Sequence, residues 1–579
     1  MEKKLALGNE AIARGLYQAG CTFVSSYPGT PSTEITEEVA RYPEVYAEWA
    51  PNEKCAAEAA YGAAVYGRRS FAAMKHVGLN VAADLLFSAS YAGVNAGFVM
   101  CVADDQGMHS SQNEQDSRHY ARASKVPMLE PSDSQECCDY VKLAFEISEE
   151  YDTPVLLRTS TRVAHSQSFI RLEQCTEPPM RDYVKNPAKY IMTPANAQKR
   201  HPIVEARTER LIELANTDRL NRIIPGSRKI GVITAGIAYQ YAREALGDNA
   251  TYLKLAMVHP LPTTLLRTFA ASVDTLYVIE ELDDFIEQQV RALGIECHGK
   301  DTFSLIGEYT PERIRAKILG IPSAQVYDAP AVPVRPPVLC PGCPHRGLFY
   351  VLGKMKLTVS GDIGCYTLGS APPLGAMDTT LDMGASIGML HGRNTVRPDE
   401  AAHAVAVIGD STFIHSGITG LVNAVYNRSA STVIIADNSI TGMTGHQQNP
   451  TTGVTLKGDV TAAVDLTALC HAVGVKRVRV CDPYDIAELE QILREELAAP
   501  EVSVVIARRP CALLKTVKRG KPYTIDASAC KGCRMCMRIG CPAVSFADGH
   551  AAIDASLCVG CDLCARMCKF GAVKKGGAV

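Results

Sequence analysis

Two blocks of cysteine at the carboxyl end constrain this chain more than any other feature. Cys530-x2-Cys533-x2-Cys536-x4-Cys541-Pro542 is followed, 28 residues on, by Cys558-x2-Cys561-x2-Cys564-x3-Cys568. Three thiolates at successive three-residue steps wrap one face of a cubane, and the fourth ligand comes from the other block. The spacing therefore predicts two [4Fe–4S] clusters. One is held by Cys530, Cys533, Cys536 and Cys568, the other by Cys558, Cys561, Cys564 and Cys541. A structural zinc site would use two separated cysteine pairs instead.

The other properties of the sequence fit a redox protein of the cytoplasm. The chain has 21 cysteines among 579 residues, and its amino terminus, interrupted by Asn9, Glu10 and Arg14, lacks the apolar core of an export signal. Such cysteine use points to metal or redox chemistry rather than disulfides. At 47% hydrophobic and 21% charged, the chain carries enough apolar mass for several cores. A net charge of -3 argues against nucleic-acid binding. No apolar run is long enough to span a membrane.

The body alternates buried-type strands with helices, so the expected class is α/β, with three doubly wound domains and a small cluster-binding tail. Residues 1–180 contain a small-residue helix leading to FAAMKHVG, and strands within AGFVMCVADD (96–105) and TPVLLRTSTR (153–162). Residues 181–228 are polar and read as a helical connection without a clear strand. A second unit, 229–330, opens with KIGVITAGIAYQYAREAL and includes DTLYVIEELDD. A Pro-rich linker at 327–337 precedes a third unit, 338–515, with strands in AVAVIGD, TVIIADN and VSVVIARR. Residues 520–579 form the cysteine domain and end in a KKGGAV tail expected to fray.

Two strand ends of the third unit suggest a cation and diphosphate site. Gly409-Asp410-Ser411 follows one strand and Asp437-Asn438 ends another, both on the ligand-binding edge of a parallel sheet. Asp410 and Asn438 offer the oxygen ligands that a hard Mg²⁺ demands. The pair resembles the thiamine diphosphate motif, with Ser411 in a glycine-type position and Asp437 in place of the first Asn. MTGHQQNPTTG (443–453) then supplies Thr444 and His446 where a diphosphate would lie. Gly384 opens a further Gly-rich turn, expected at a phosphate-holding helix start. That turn also fits GxSxG, but the segment before its Ser is a poor strand, which disfavours a serine hydrolase. No GxxxxGK[ST] motif is present.

In the amino-terminal unit, Tyr27-Pro28-Gly29-Thr30-Pro31-Ser32 forms a hydroxyl-bearing turn at a strand end. Asn52-Glu53-Lys54 precedes the small-residue helix. Either Glu53 or Glu58 is suited to hydrogen-bond an aminopyrimidine ring.

Together these blocks resemble the 2-oxoacid:ferredoxin oxidoreductases. YPGTPS with its acid-bearing helix is similar to the family's pyrimidine domain. LCPGCPHR (339–346), GDIGCYTLG (361–369), GDSTFIHSGI (409–418) and the cysteine tail extend the resemblance over essentially the whole chain, most closely to members acting on arylpyruvates. The resemblance implies domain types: pyrimidine-binding for 1–180, transketolase C-terminal-like for 229–330, diphosphate- and Mg-binding for 338–515. It implies Glu53 as the cofactor acid, because Glu53 lies nine residues before Gly62, and Thr30 as a substrate-side hydroxyl. Tyr27 and Gly29 join them, and Ile440 through its carbonyl joins Asp410 and Asn438 as a Mg²⁺ ligand. A third cluster on Cys340, Cys343, Cys365 and Cys511 also follows from the resemblance.

The implied activity is oxidative decarboxylation of an arylpyruvate with coenzyme A, the electrons passing to external ferredoxin and a smaller beta subunit completing the enzyme. Two alternatives stand beside it: another 2-oxoacid:ferredoxin oxidoreductase, and a thiamine decarboxylase or carboligase with an appended electron-transfer tail.

The chain departs from the pattern in places. The tail resembles bacterial two-cluster ferredoxins, but four residues rather than three precede Cys541, and Lys569 stands where they have Pro. Pyruvate-acting relatives place an Arg for the substrate carboxylate where this chain reads Ala103-Asp104-Asp105-Gln106-Gly107-Met108-His109. His109, Gln112 and Arg118 are the candidate substitutes. The remaining cysteines, including Cys55, Cys175 and Cys297, read as buried small apolar residues.

Overall fold

The computed structural model describes residues 2–217, 219–322 and 331–576 and divides the chain into two compact units, Met1–Pro330 and Ala331–Val579. Most of the Pro-rich linker is described and exposed from 331 on, while 327–330 and the last three residues of the tail lie outside the described residues.

The first unit is built on a seven-stranded sheet. Its order is Met257–His259, Met128–Leu129, Val155–Ser160, Phe98–Asp104, Ser70–Lys75, Phe23–Ser26, Tyr46–Trp49, parallel throughout except at the Met257–His259 edge. A second sheet orders Thr275–Ile279, Ile230–Ala235, Thr251–Leu255 and an antiparallel Arg222–Ile224. The strands are buried on both faces, which explains why they read as unbroken apolar runs.

Two differences from the sequence reading have a common cause. The 181–228 connection is mostly helix, chiefly Pro194–Ala215, but it also supplies the edge strand Arg222–Ile224. The second sheet lends Met257–His259 to the first, and one apolar core takes Met100 and Val102 from one sheet together with Ile233, Leu253 and Val278 from the other. Residues 1–180 and 229–322 therefore share a core.

The second unit centres on a five-stranded parallel sheet ordered Thr358–Ser360, Ala404–Gly409, Thr432–Asp437, Ser503–Arg508, Arg477–Cys481. Its period of two is visible in the packing. Val405, Val407, Ile434 and Ala436 enter the core on one face, while Ala406, Ile408, Val433 and Ile435 enter the core on the other. The cysteine tail has little sheet of its own, with two antiparallel ribbons, Tyr523–Ile525 with Val573–Lys575 and Val544–Ala547 with His550–Ile553. Its core mixes cysteines with Ile539, Val544, Leu563 and Val573. A domain this small needs such a staple.

Candidate functional site

In the first unit the candidate residues gather at the carboxyl edge of the parallel sheet, where open α/β sheets bind ligands. Tyr27, Gly29 and Thr30 follow the strand Phe23–Ser26, and the backbone N–H and side-chain O–H of Ser32 both donate to the Gly29 carbonyl, tightening the turn. The helix Glu53–Val65 starts beside them. Asn52 caps it by accepting from the Cys55 amide at 2.9 Å, which fixes Glu53 in the first turn. Ala57, Ala60 and Ala64 then bury its small-residue face.

Glu53 is 5% exposed and packs on Gly78, where a Cβ would lie 2.5 Å from Glu53 Oε1. Glu58, the other candidate acid, is exposed and pairs with Lys54. The geometry thus favours Glu53 as the acid able to meet a buried ring nitrogen.

The proposed substitutes for the missing Arg fare differently. Arg118 is fully buried and forks onto Asp116 at 2.6 Å and Glu280 at 2.5 Å. It is committed to that network, so Arg118 is withdrawn as a carboxylate ligand. His109 pairs with Glu308 at 3.0 Å, and Gln112 is exposed.

In the second unit Asp410 and Asn438 stand at adjacent strand ends, both buried. Burial, reinforced by Asp437, pushes Asp410 up to about 7, against the pull of the Asn449 side chain, the Ser411 amide and the Thr451 hydroxyl, and the Asn449 and Thr451 bonds are long, at 3.3 Å. A buried carboxyl raised by burial and by a neighbouring acid, with no cationic side chain among its causes, fits a hard divalent cation. Asn438 Oδ1 accepts from the Ile440 amide at 3.3 Å, and its Nδ2 meets Nε2 of buried His345 at 3.5 Å. Asp437 is instead structural, accepting from Arg508 at 2.7 Å and from the Ser439 amide at 3.0 Å. Ser411 accepts from Thr441 at 2.9 Å, and Thr444 donates to Gln447 at 2.6 Å, tying the 438–447 loop over the strand ends. The turn at Gly384 behaves differently from expectation. The amides of Gly384 and Ser386 donate to the buried carboxylate of Asp362 at 2.8 and 3.2 Å, so the start of helix Ala385–Val396 is capped from within the chain.

The thiols fall into three groups. Burial raises the Cys536 thiol, and neighbouring Cys533, Cys568 and Cys530 add to the rise. Cys564 is pushed up to about 12 by burial first, then by Cys561, Cys541, Cys558 and Cys536. The neighbours of Cys536 include Cys568 of the other block, and those of Cys564 include Cys541. At Cys568 burial is overcome by the amides of Phe570, Ala572, Val573 and Gly571, which hold the thiol below its ordinary value. The Ala572 N–H lies 3.3 Å from Cys568 Sγ, and the Tyr523 N–H 3.5 Å from Cys558 Sγ. Amides aimed at sulfur are the donors a cubane's thiolates require, so the residues present fit two clusters.

Cys340, Cys343, Cys365 and Cys511 form the third group. Burial pushes Cys343 up to about 12, with Cys365 and Cys340 contributing, and Cys365 to about 11, with Cys511 and Cys340 contributing. The group adjoins the Asp410 site. The Cys511 amide donates to the Asn438 carbonyl at 2.9 Å, Cys511 Sγ lies 3.8 Å from His446 Nε2, and Asp410 itself raises Cys365 and Cys511. Of the other cysteines, Cys55, Cys175 and Cys297 are half-buried rather than buried.

Sequence reasoning passed over Asp362, Asn449 and Thr451. All three lie inside motifs that were quoted, GDIGC and NPTTG, but their partners are distant in sequence and only the fold reveals them.

Comparison with known proteins agrees with this geometry. The family profile "Thiamine pyrophosphate enzyme, C-terminal TPP binding domain" matches residues 362–507. "Pyruvate flavodoxin/ferredoxin oxidoreductase, thiamine diP-bdg" matches 14–214, and "4Fe-4S binding domain" matches 551–574. The chain is 41% identical to an indolepyruvate oxidoreductase subunit IorA from Archaeoglobus fulgidus, over 99% of this chain and 97% of that protein. Proteins of the same name from Methanothermobacter marburgensis and Pyrococcus horikoshii are each 40% identical, over 100% and 99% of this chain and 98% and 97% of their own.

Proposed function

Since the chain belongs to the family of the indolepyruvate oxidoreductase IorA subunits, among the thiamine-dependent 2-oxoacid oxidoreductases, we propose that it performs ferredoxin-dependent oxidative decarboxylation of arylpyruvates. The products are the arylacetyl-CoA, carbon dioxide and reduced ferredoxin. Thiamine diphosphate, when bound, supplies the electron sink that lets carbon dioxide leave, and iron–sulfur centres take the two electrons singly.

The residues of this chain divide the remaining work. Asp410, Asn438 and the Ile440 carbonyl would hold Mg²⁺, with Gly409, Ser411, Thr444 and His446 around the diphosphate. Glu53, buried against Gly78, hydrogen-bonds the aminopyrimidine ring. Gly29 and Thr30 face the substrate side. The two tail sets of four cysteines hold one cluster each, and Cys340, Cys343, Cys365 and Cys511 hold a third. A smaller partner subunit completes the enzyme in the cytoplasm. Among the described residues no helix is long and apolar enough to cross a membrane.

The observation that carries this reading is the adjacency of a four-thiol group to the Asp410 site: the Cys511 amide donates to the Asn438 carbonyl at 2.9 Å, and a Cβ on Gly442 would lie 3.3 Å from Cys365 Sγ and 3.7 Å from Asn438 Nδ2. A plain decarboxylase or carboligase has no use for redox thiols there. Oxygen-free holoenzyme with its partner is assayed for viologen reduction on indolepyruvate, phenylpyruvate, pyruvate and 2-oxoglutarate. Dye reduction on the aryl substrates that depends on coenzyme A and yields acyl-CoA is expected. Product release without dye reduction would refute the oxidoreductase reading.

A further inference from the structure

The carboxylate of a 2-oxoacid needs a cation, and the residues that resemblance and loop position suggested do not supply one. Arg118 is consumed by Asp116 and Glu280, and His109 faces Glu308. A different cation stands at the site. The strand Ser70–Lys75 ends at Lys75, and the helix His76–Ala92 begins immediately after it. The first turn of that helix touches both halves of the candidate site. A Cβ on Gly29 would lie 3.2 Å from Lys75 Cβ, and Gly78 packs on the Glu53 carboxylate.

Lys75 is 8% exposed, yet its ammonium meets only the carbonyl of Ser110 at 2.6 Å and the Ser110 hydroxyl at 3.4 Å, and forms no ion pair among the described residues. Burial pushes it down to about 8, against the pull of Asp105. Asp105 itself is occupied, accepting from the Ser110 amide at 2.8 Å, the Ser111 hydroxyl at 2.5 Å and the Thr161 hydroxyl at 2.7 Å. A desolvated ammonium without a carboxylate is costly, and an anionic ligand would offset that cost.

The side chain of Lys75, the residue before the helix His76–Ala92, does not turn back to cap it. A neighbour points the same way. His76 is fully buried, with Nε2 at 3.2 Å from Ser111 Oγ and Nδ1 without a hydrogen-bond partner. Two buried polar groups, on consecutive residues beside Gly29 and Glu53, are thus left incomplete by the chain itself.

We propose that Lys75 binds the carboxylate of the arylpyruvate and so takes the place of the Arg found in pyruvate-acting relatives. This rests on the function proposed above. An ammonium on a buried strand end is a point charge rather than a planar fork, which leaves the orientation of the substrate to the pocket around its aryl group.

The test uses oxygen-free holoenzyme with its partner subunit. Lys75→Met is expected to raise KM for indolepyruvate roughly 10- to 100-fold, with kcat falling less than about threefold. Lys75→Arg should bring KM back to within about fivefold of wild type. Thiamine and iron contents should stay at the wild-type level in both variants. Phenyllactate, which cannot decarboxylate, should bind wild type at least about tenfold more tightly than phenyllactamide by calorimetry, a preference that should vanish in Lys75→Met. Unchanged KM and an unchanged acid-over-amide preference in Lys75→Met overturn the assignment. Wild-type holoenzyme that reduces no dye with any arylpyruvate overturns the functional reading instead, so the two failures are told apart.

Discussion

Glu53 and Glu58 are the same residue type on one helix, and what separates them chemically is burial. Glu53 lies under Gly78 while Glu58 reaches solvent beside Lys54. Glu53→Gln should therefore lower kcat by ~10²–10⁴, the usual worth of a positioned proton-transfer group, whereas Glu58→Gln should stay within about twofold of wild type, since exposed pairs contribute little. Exchange of the thiamine C2 proton, followed by NMR, checks the assignment without relying on turnover. Gly78→Ala makes the same point from the other side. Its new methyl would fall 2.5 Å from Glu53 Oε1, so the carboxylate must move, and C2 exchange should slow although Glu53 is intact. Lys75 was less legible than either acid. In FAAMKHVG it reads as the polar end of a strand, and only the fold reveals that it is buried with no ion pair among the described residues. Arg118 misled for the complementary reason, because its partner Glu280 lies 162 residues away.

The elements themselves were mostly readable. Strands such as Ala404–Gly409 and Thr432–Asp437 are buried on both faces, and an unbroken apolar run is the signature of that environment. The edge strands were not, since Arg222–Ile224 and Met257–His259 have three residues each and owe their existence to partners rather than to pattern. In the cysteine tail the spacing carried the element-level prediction that the blocks exchange their fourth ligands, and the thiol groupings at Cys536 and Cys564 accord with it. Paired substitutions test it by iron count. Cys541→Ser alone and Cys541→Ser with Cys558→Ser should lose the same single cluster, about four irons, because both residues serve one cubane. Ligation within each block would make the double variant lose both tail clusters. Cys568→Ser with Cys530→Ser should likewise lose only the other one.

At the scale of the whole molecule, the thiol groups of the second unit form a sequence. Gly342, between Cys340 and Cys343, approaches the second tail block so closely that a Cβ would lie 3.6 Å from Cys561 Cβ, and Tyr484 donates to its carbonyl at 2.6 Å. The Cys541, Cys558, Cys561 and Cys564 set therefore lies next to the group beside Asp410. Of the two tail sets, the one of Cys530, Cys533, Cys536 and Cys568 has the exposed thiol. Cys533 is exposed, and the cavity beside these thiols is lined by Lys531, Arg534, Phe546 and Phe570 with no acid among its residues. Phe570 is 51% exposed, and Lys569 beside it is exposed as well. A basic rim around an exposed ring suits an acidic electron carrier, and steering by such charges acts on encounter and weakens as salt rises. Lys531→Glu combined with Lys569→Glu should thus raise KM for an acidic ferredoxin about tenfold at low ionic strength and flatten its salt dependence. Reduction of a small viologen, which needs no docked protein, should stay within about twofold. Steady-state assays of both acceptors at two ionic strengths decide it: if ferredoxin KM and its salt dependence are unaltered in the double variant, electrons leave this molecule at another face.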